Sequence, residues 1–127
     1  MNHVRILKRF MRSLGFAGRG LAAVFRAEAN FRIQCAALAG ALIVGAYVRI
    51  RAWELVMLVL AGAAVLVLEC INSAVERLLD LVQPRLHGYV REIKDVMAAA
   101  VLIAACGATI IACTILVPPF VDTWWGS

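Results

Sequence analysis

Three carboxylates on one face of a helical stretch are the most chemically loaded feature of this 127-residue chain. Glu69, Glu76 and Asp80 are separated by seven and four residues, which at about 100° per residue places them within roughly 40° of one another. Asn72 and Ser73 lie between them on nearly the same side. Glu69 directly follows Leu66-Val67-Leu68, so the first acid abuts an apolar run. Ionisable groups at membrane depth cost about 2.5–3.5 kcal/mol each on insertion scales. Such a face is tolerable when a divalent cation, a cationic substrate or basic partners neutralise it. The plainer reading is a helix that overshoots the membrane, its acids solvated and paired with Arg77, Arg85 or Arg91. That accounts readily for Asp80 and poorly for Glu69.

The elements that must position these residues are membrane spans. The hydrophobic fraction is 64% and the charged fraction 17%, against roughly 45–50% apolar residues in soluble domains. The excess must face lipid. A net charge of +5 suits anionic headgroups or a phosphate-bearing substrate. It does not suit nucleic acid, because the basic residues adjoin apolar segments and lack interleaved aromatics. Cys35, Cys70, Cys106 and Cys113 form no CxxC pair and no zinc-ligand spacing with a histidine, and read as reduced packing residues. No short apolar core with a small-residue cleavage site follows the basic N-terminus, so no cleaved signal peptide is expected.

The expected architecture is an all-α membrane protein forming a single domain over residues 1–127, with spans at about 31–48, 52–82 and 94–117. Tyr47, Arg49, Arg51 and Trp53 mark a tight turn at an interface. Pro84 stops the second helix, Pro118-Pro119 ends the third, and Trp124-Trp125 follows as an interfacial anchor. Of thirteen Lys and Arg, seven precede the first span and four lie between the second and third. The positive-inside bias therefore makes the N-terminus and second loop cytoplasmic and the C-terminus external. Within about residues 4–27, Val4, Leu7, Met11, Leu14, Leu21, Val24 and Phe25 make an apolar face, while Arg5, Arg12, Arg19 and Arg26 repeat every seven residues. This reads as an amphipathic interfacial helix, which Gly15, Gly18 and Gly20 leave free to bend or break in its middle.

With the motifs in view, the chain resembles the prokaryotic diacylglycerol kinase family. Glu69-Cys70-Ile71-Asn72-Ser73-Ala74-Val75-Glu76, with Asp80 four residues on, is similar to that family's Glu-x-x-Asn-Ser/Thr-Ala-Ile/Val-Glu signature. Ile93-Lys94-Asp95 with the alanines that follow resembles its Ala-Lys-Asp start of the third span. Glu28-Ala29-Asn30-Phe31-Arg32 resembles its Glu-x-x-Phe-Arg segment, and Gly15-Phe16 with Gly20-Leu21 its glycine-flanked aromatic. The likeness runs through essentially the whole chain in matching order.

The resemblance implies a lipid kinase of the bacterial cytoplasmic (inner) membrane: a homotrimeric helical bundle with active sites shared between subunits at the cytoplasmic face. It implies transfer of the γ-phosphate of ATP, with Mg2+, to a lipid hydroxyl, diacylglycerol giving phosphatidic acid first among the substrates. Glu69 takes the place of the general base, Glu28 and Glu76 those of metal ligands, and Lys94 that of a phosphate-binding cation. Asp95 would orient Lys94 or the nucleotide, and Asn72 would position Glu69 or the phosphates. Arg9, Phe16 and His87 fall where the family contacts nucleotide, with Phe16 either stacking on adenine or burying in lipid. Asn30, Gln34 and Ala98 fall where it meets the lipid substrate. Gln34 and Ala98 depart from the carboxylate and serine of some members, and Leu79 replaces the usual valine, which leaves lipid choice open. No phosphate-binding Gly-x4-Gly-Lys-Ser/Thr loop is present, so side chains must hold the phosphates. The same-class alternative is undecaprenol kinase. The alternative from another class is a small oligomeric cation transporter with Glu69 at the membrane edge, which would have little use for Lys94 beside its acids.

Overall fold

The computed structural model describes the backbone of residues 2–82 and 87–125 and the side chains of residues 5–81 and 88–124. Four helices follow in order: α1 (Asn2–Ala27), α2 (Ala29–Tyr47), α3 (Ala52–Val82) and α4 (His87–Trp125). The last three are long and apolar enough to cross a membrane. At 1.5 Å per residue, 19, 31 and 39 residues give lengths of about 28, 46 and 58 Å. A hydrocarbon core is about 30 Å thick. Helix α2 therefore just crosses it, whereas α3, counted from its first residue, leaves it near Asn72. The stretch from Glu69 to Asp80 thus straddles one rim of the bilayer.

Solvent-accessible surface reaches 9684 Å², well above the roughly 6,600 Å² expected of a soluble monomer of this mass. Ile43, Leu60, Ile103 and Ile110 are all exposed. The interior is a thin seam: Phe31 from α2, Leu58, Val65 and Leu79 from α3, and Val90 from α4. Small residues let that seam close. A Cβ placed on Gly62 would stand 2.8 Å from Leu38 Cδ2, so Leu38 of α2 seats directly on the α3 backbone.

Helices α2 and α3 are joined by a turn that terminates one and starts the other. The Ile50 N–H donates to the Gly45 carbonyl at 3.1 Å and the Arg49 N–H to that of Ala46 at 3.4 Å, the paired bonds of a Schellman C-cap. Arg49 takes the left-handed conformation, φ 55°, where glycine is usual. Opening α3, the Arg51 N–H donates to Glu54 Oε2 at 2.7 Å, which satisfies one of the helix-start donors.

Two helices run further than their helix-breaking residues suggest. Helix α1 runs unbroken through Gly15, Gly18 and Gly20, because about 1 kcal/mol per glycine does not outweigh the helical preference of the surrounding residues. Helix α4 continues through Pro118-Pro119 to Trp125 and begins at His87, ahead of residue 94. In lipid, a break would strand more unpaired backbone groups than the two N–H groups that proline removes. Phe120 and Trp124 pair beyond the prolines, with ring centroids 6.2 Å apart.

The Gly62 notch gives a direct test of the α2–α3 seam. Gly62→Val should lower unfolding stability in detergent by about 1–3 kcal/mol. Gly40→Ala, where nothing lies within 4 Å of the added carbon, should be neutral or slightly stabilising. Equal effects of the two substitutions would show that Leu38 does not seat there.

Candidate active site

The hinge between α1 and α2 is the first piece of the site. Glu28 is extended, φ −101° and ψ 115°, and its side chain makes no cap hydrogen bond to α2. Arg32, one turn into α2, donates from Nη1 to the carbonyls of Phe25 at 3.0 Å and Arg26 at 3.2 Å. It thereby satisfies the last acceptors of α1, which otherwise lack partners. Phe25 and Phe31 meet edge to face across the hinge, 6.4 Å apart at 88°. Val24 and Phe31 are buried beneath it. Clamped in this way, Glu28 projects towards α3.

What it meets is Ser73, whose Oγ donates to Glu28 Oε1 at 3.1 Å. Ser73 is 1% exposed and Glu69, one turn earlier, 2%. The Gln34 side chain of α2 approaches the Glu69 carboxylate. Asn72 Nδ2 donates to Glu76 Oε1 at 3.3 Å, while Asn72 Oδ1 and Gln34 Oε1 are buried without partners among the described residues. Three carboxylates, two amides and one hydroxyl thus gather at the α2–α3 contact. Two of these polar oxygens still lack a donor or a cation.

Further along α3, Asp80 Oδ1 lies 2.8 Å from Lys94 Nζ of α4. This ion pair bears on two readings of the sequence. Among the described residues the acidic stripe takes neither Arg77 nor Arg91 in an ion pair. Lys94 pairs with Asp80, and among the described residues no hydrogen bond or ion pair joins it to its chain neighbour Asp95. Successive helical residues diverge by about 100°; Asp95 lines a shallow depression with Arg91, Glu92 and Ala99 instead.

Other expected residues lie apart. Arg9 and Phe16 are exposed on α1, and one face of the Phe16 ring carries the Arg19 guanidinium at 4.7 Å. Asn30 is exposed in the first turn of α2, and Ala98 is exposed one turn beyond Lys94. No hydrogen bond or ion pair among the described residues joins Arg9, Phe16, Asp95 or Ala98 to the cluster. The His87 side chain lies outside the described residues. Ser73 and Asp80 are contributors for which the sequence supplied a position on the face but no role.

Beside the cluster runs an apolar groove of about 790 Å³, bounded by Leu21 and Phe25 of α1, Phe31 and Cys35 of α2, and Val67 and Cys70 of α3. Cys70 adjoins Glu69, so the groove wall and the buried acid are chain neighbours. A cluster of acids and amides near an apolar groove, on helices long and apolar enough to cross a membrane, is an arrangement that suits an amphiphile.

Comparison with known proteins agrees. The family model for prokaryotic diacylglycerol kinase matches residues 15–116. The chain is 33% identical over 117 residues to an undecaprenol kinase of Bacillus subtilis, covering 92% of this chain and 95% of that protein. It is 30% identical over 115 residues to a diacylglycerol kinase of Escherichia coli (91% and 94% covered). A diacylglycerol kinase of Pseudomonas aeruginosa is 32% identical over 111 residues (87% and 89%). The chain belongs to the prokaryotic diacylglycerol kinase family, and is a membrane lipid kinase.

Ser73 offers the sharpest local test. Ser73→Ala leaves Glu28 without its buried donor and should cost about 2 kcal/mol of stability, read from denaturant unfolding in detergent. An unchanged midpoint would mean that the Glu28–Ser73 bond does not hold the hinge.

Proposed function

We propose that this protein transfers the γ-phosphate of ATP, with Mg2+, to the hydroxyl of diacylglycerol, giving phosphatidic acid. The observation that carries this reading is Glu69: a carboxylate 2% exposed, on the helix whose Val67 and Cys70 line the apolar groove, and flanked by further acids. The groove suits the lipid's acyl part. Glu69 then takes the proton from the lipid hydroxyl as its oxygen attacks the γ-phosphorus, and ADP departs. Asn72 orients the phosphates through its amide, and Lys94 meets the transferring phosphate as a point charge.

Glu28 and Glu76 are the residues to hold the metal. Both present hard oxygens on either side of Asn72-Ser73, and the unpartnered Asn72 Oδ1 beside Glu76 suits a cation or a polar phosphate neighbour. No three His, Cys, Asp or Glu side chains among the described residues converge on one point. Two hard carboxylate donors suit magnesium, which takes one or two carboxylates and completes its shell with phosphates and water. When bound, the metal would neutralise charge developing on the phosphates.

In this account α1 lies in the interface with its arginines towards headgroups. The N-terminus and the site are cytoplasmic by the positive-inside bias, in the inner membrane of a bacterium. Arg9, Phe16 and His87 serve the nucleotide, the Phe16 face opposite Arg19 being the one open to adenine. Asp95, which lies away from the cluster, serves the nucleotide. Asn30, Gln34 and Ala98 border the lipid. The exposed apolar flanks of α3 and α4 support assembly into a homotrimer with shared sites. A second reading, undecaprenol as the acceptor, is favoured by the 33% identity to the Bacillus subtilis protein.

The test is transfer of labelled γ-phosphate to a panel of membrane alcohols by the purified protein in mixed micelles. Diacylglycerol should be the best acceptor; faster turnover of undecaprenol would decide for the second reading, and no labelled lipid would reject both. In the same assay Glu69→Gln should reduce turnover about 10²–10⁴-fold while nucleotide affinity persists. Loss of nucleotide affinity alone would remove Glu69 from the role of base.

A further inference from the structure

We propose that Asp80 is a positioning residue, holding the Lys94 ammonium at the edge of the acidic cluster where the transferring phosphate arrives. The inference rests on the reading of Lys94 as the phosphate's cation, and adds the residue through which that cation is aimed.

Lysine carries its charge on a flexible four-carbon stem, so a lysine at an open rim is spread over many rotamers. Among the described residues it has one partner, Asp80. Asp80 lies one helical turn past Glu76, and its Oδ1 is 2.8 Å from Lys94 Nζ. The backbones that bring the two together are fixed by packing. Leu79, next to Asp80, is 8% exposed, and Val90, one turn before Lys94, is 4% exposed. The pair thus has a buried foundation and an open head, with Lys94 35% and Asp80 59% exposed.

That combination decides between a stabilising and a directing role. An ion pair this open to water contributes little to folding. Asp80 accepts only one of three ammonium hydrogens, so two remain for phosphate oxygens. Asp95 cannot substitute, because it faces Arg91 and Glu92 elsewhere on α4. The groups around Nζ are therefore Asp80, bonded to it, and Glu76, one turn back on the same face. In the absence of Asp80, Glu76 would be the nearest acid to draw the ammonium inwards, away from the position in which a phosphate can be met.

Three measurements on the full chain test this. Asp80→Asn should lower kcat on the order of tenfold with the KM for lipid unchanged, and Asp80→Glu should recover most of the loss. In a Lys94→Ala background, Asp80→Asn should add nothing, because its effect passes through the lysine. Lys8 and Lys94 are the two lysines, so a Lys8→Arg protein reports Lys94 alone. Its labelling by a water-soluble amine reagent, read by peptide mass, should quicken several-fold when Asp80→Asn is added. Unchanged kcat in Asp80→Asn, an equal loss in both backgrounds, or an unchanged labelling rate would each overturn the proposal. Wild-type turnover in Lys94→Ala would overturn it together with the phosphate-binding reading. Quickened labelling would then show an ion pair with no part in transfer.

Discussion

The hydrogen bond from Ser73 to Glu28 joins residues 45 positions apart, and most of the site depends on it. It ties the hinge where α1 gives way to α2 onto the face of α3 that carries Glu69 and Glu76. The hinge is held on the other side by Arg32, whose guanidinium occupies the final carbonyls of α1, and from below by the Phe25–Phe31 contact. Acids crowd at a membrane rim only if their lone pairs are occupied and their repulsion is offset. Here serine and amide donors do the first. The second is the task of the magnesium proposed for Glu28 and Glu76.

Length sets the depth of that cluster. Helix α3 outlasts the bilayer by several turns, so Glu69 remains in the dry zone beside the groove while Glu76 and Asp80 emerge towards water. One helix face therefore offers a buried carboxylate, suited to an amphiphile's hydroxyl, then a half-buried and an exposed one suited to a charged, water-soluble partner. Placing both on a single rigid element fixes their spacing without loops. The α2–α3 turn at the opposite rim, with left-handed Arg49 and the Glu54 cap, sets where α3 begins and so how far it overshoots.

Much of this was legible in the residues. The seven-and-four spacing of Glu69, Glu76 and Asp80 defined the face because helix periodicity is local. Hydropathy marked three spans because lipid imposes composition on every exposed position. Ser73 was placed on the face by the same arithmetic, yet its partner was not readable, since that depends on how α2 and α3 register through Leu38 and Gly62. The Asp80–Lys94 pair was hidden for the same reason, as it needs the α3–α4 alignment fixed by Leu79 and Val90. The family resemblance offered Asp95 as orienting either Lys94 or the nucleotide. Proline rules derived from water-soluble helices misplaced the end of α4, where lipid penalises a break more than a missing N–H.

The central claim is that the acids along α3, with Glu28, gather a metal and a nucleotide next to a lipid alcohol. Calorimetric titration of ATP into the detergent-solubilised protein, with and without Mg2+, tests it most directly. The account predicts affinity that requires magnesium and that weakens about tenfold or more when Glu28 or Glu76 is changed to glutamine. ATP binding indifferent to magnesium and to both substitutions would contradict it.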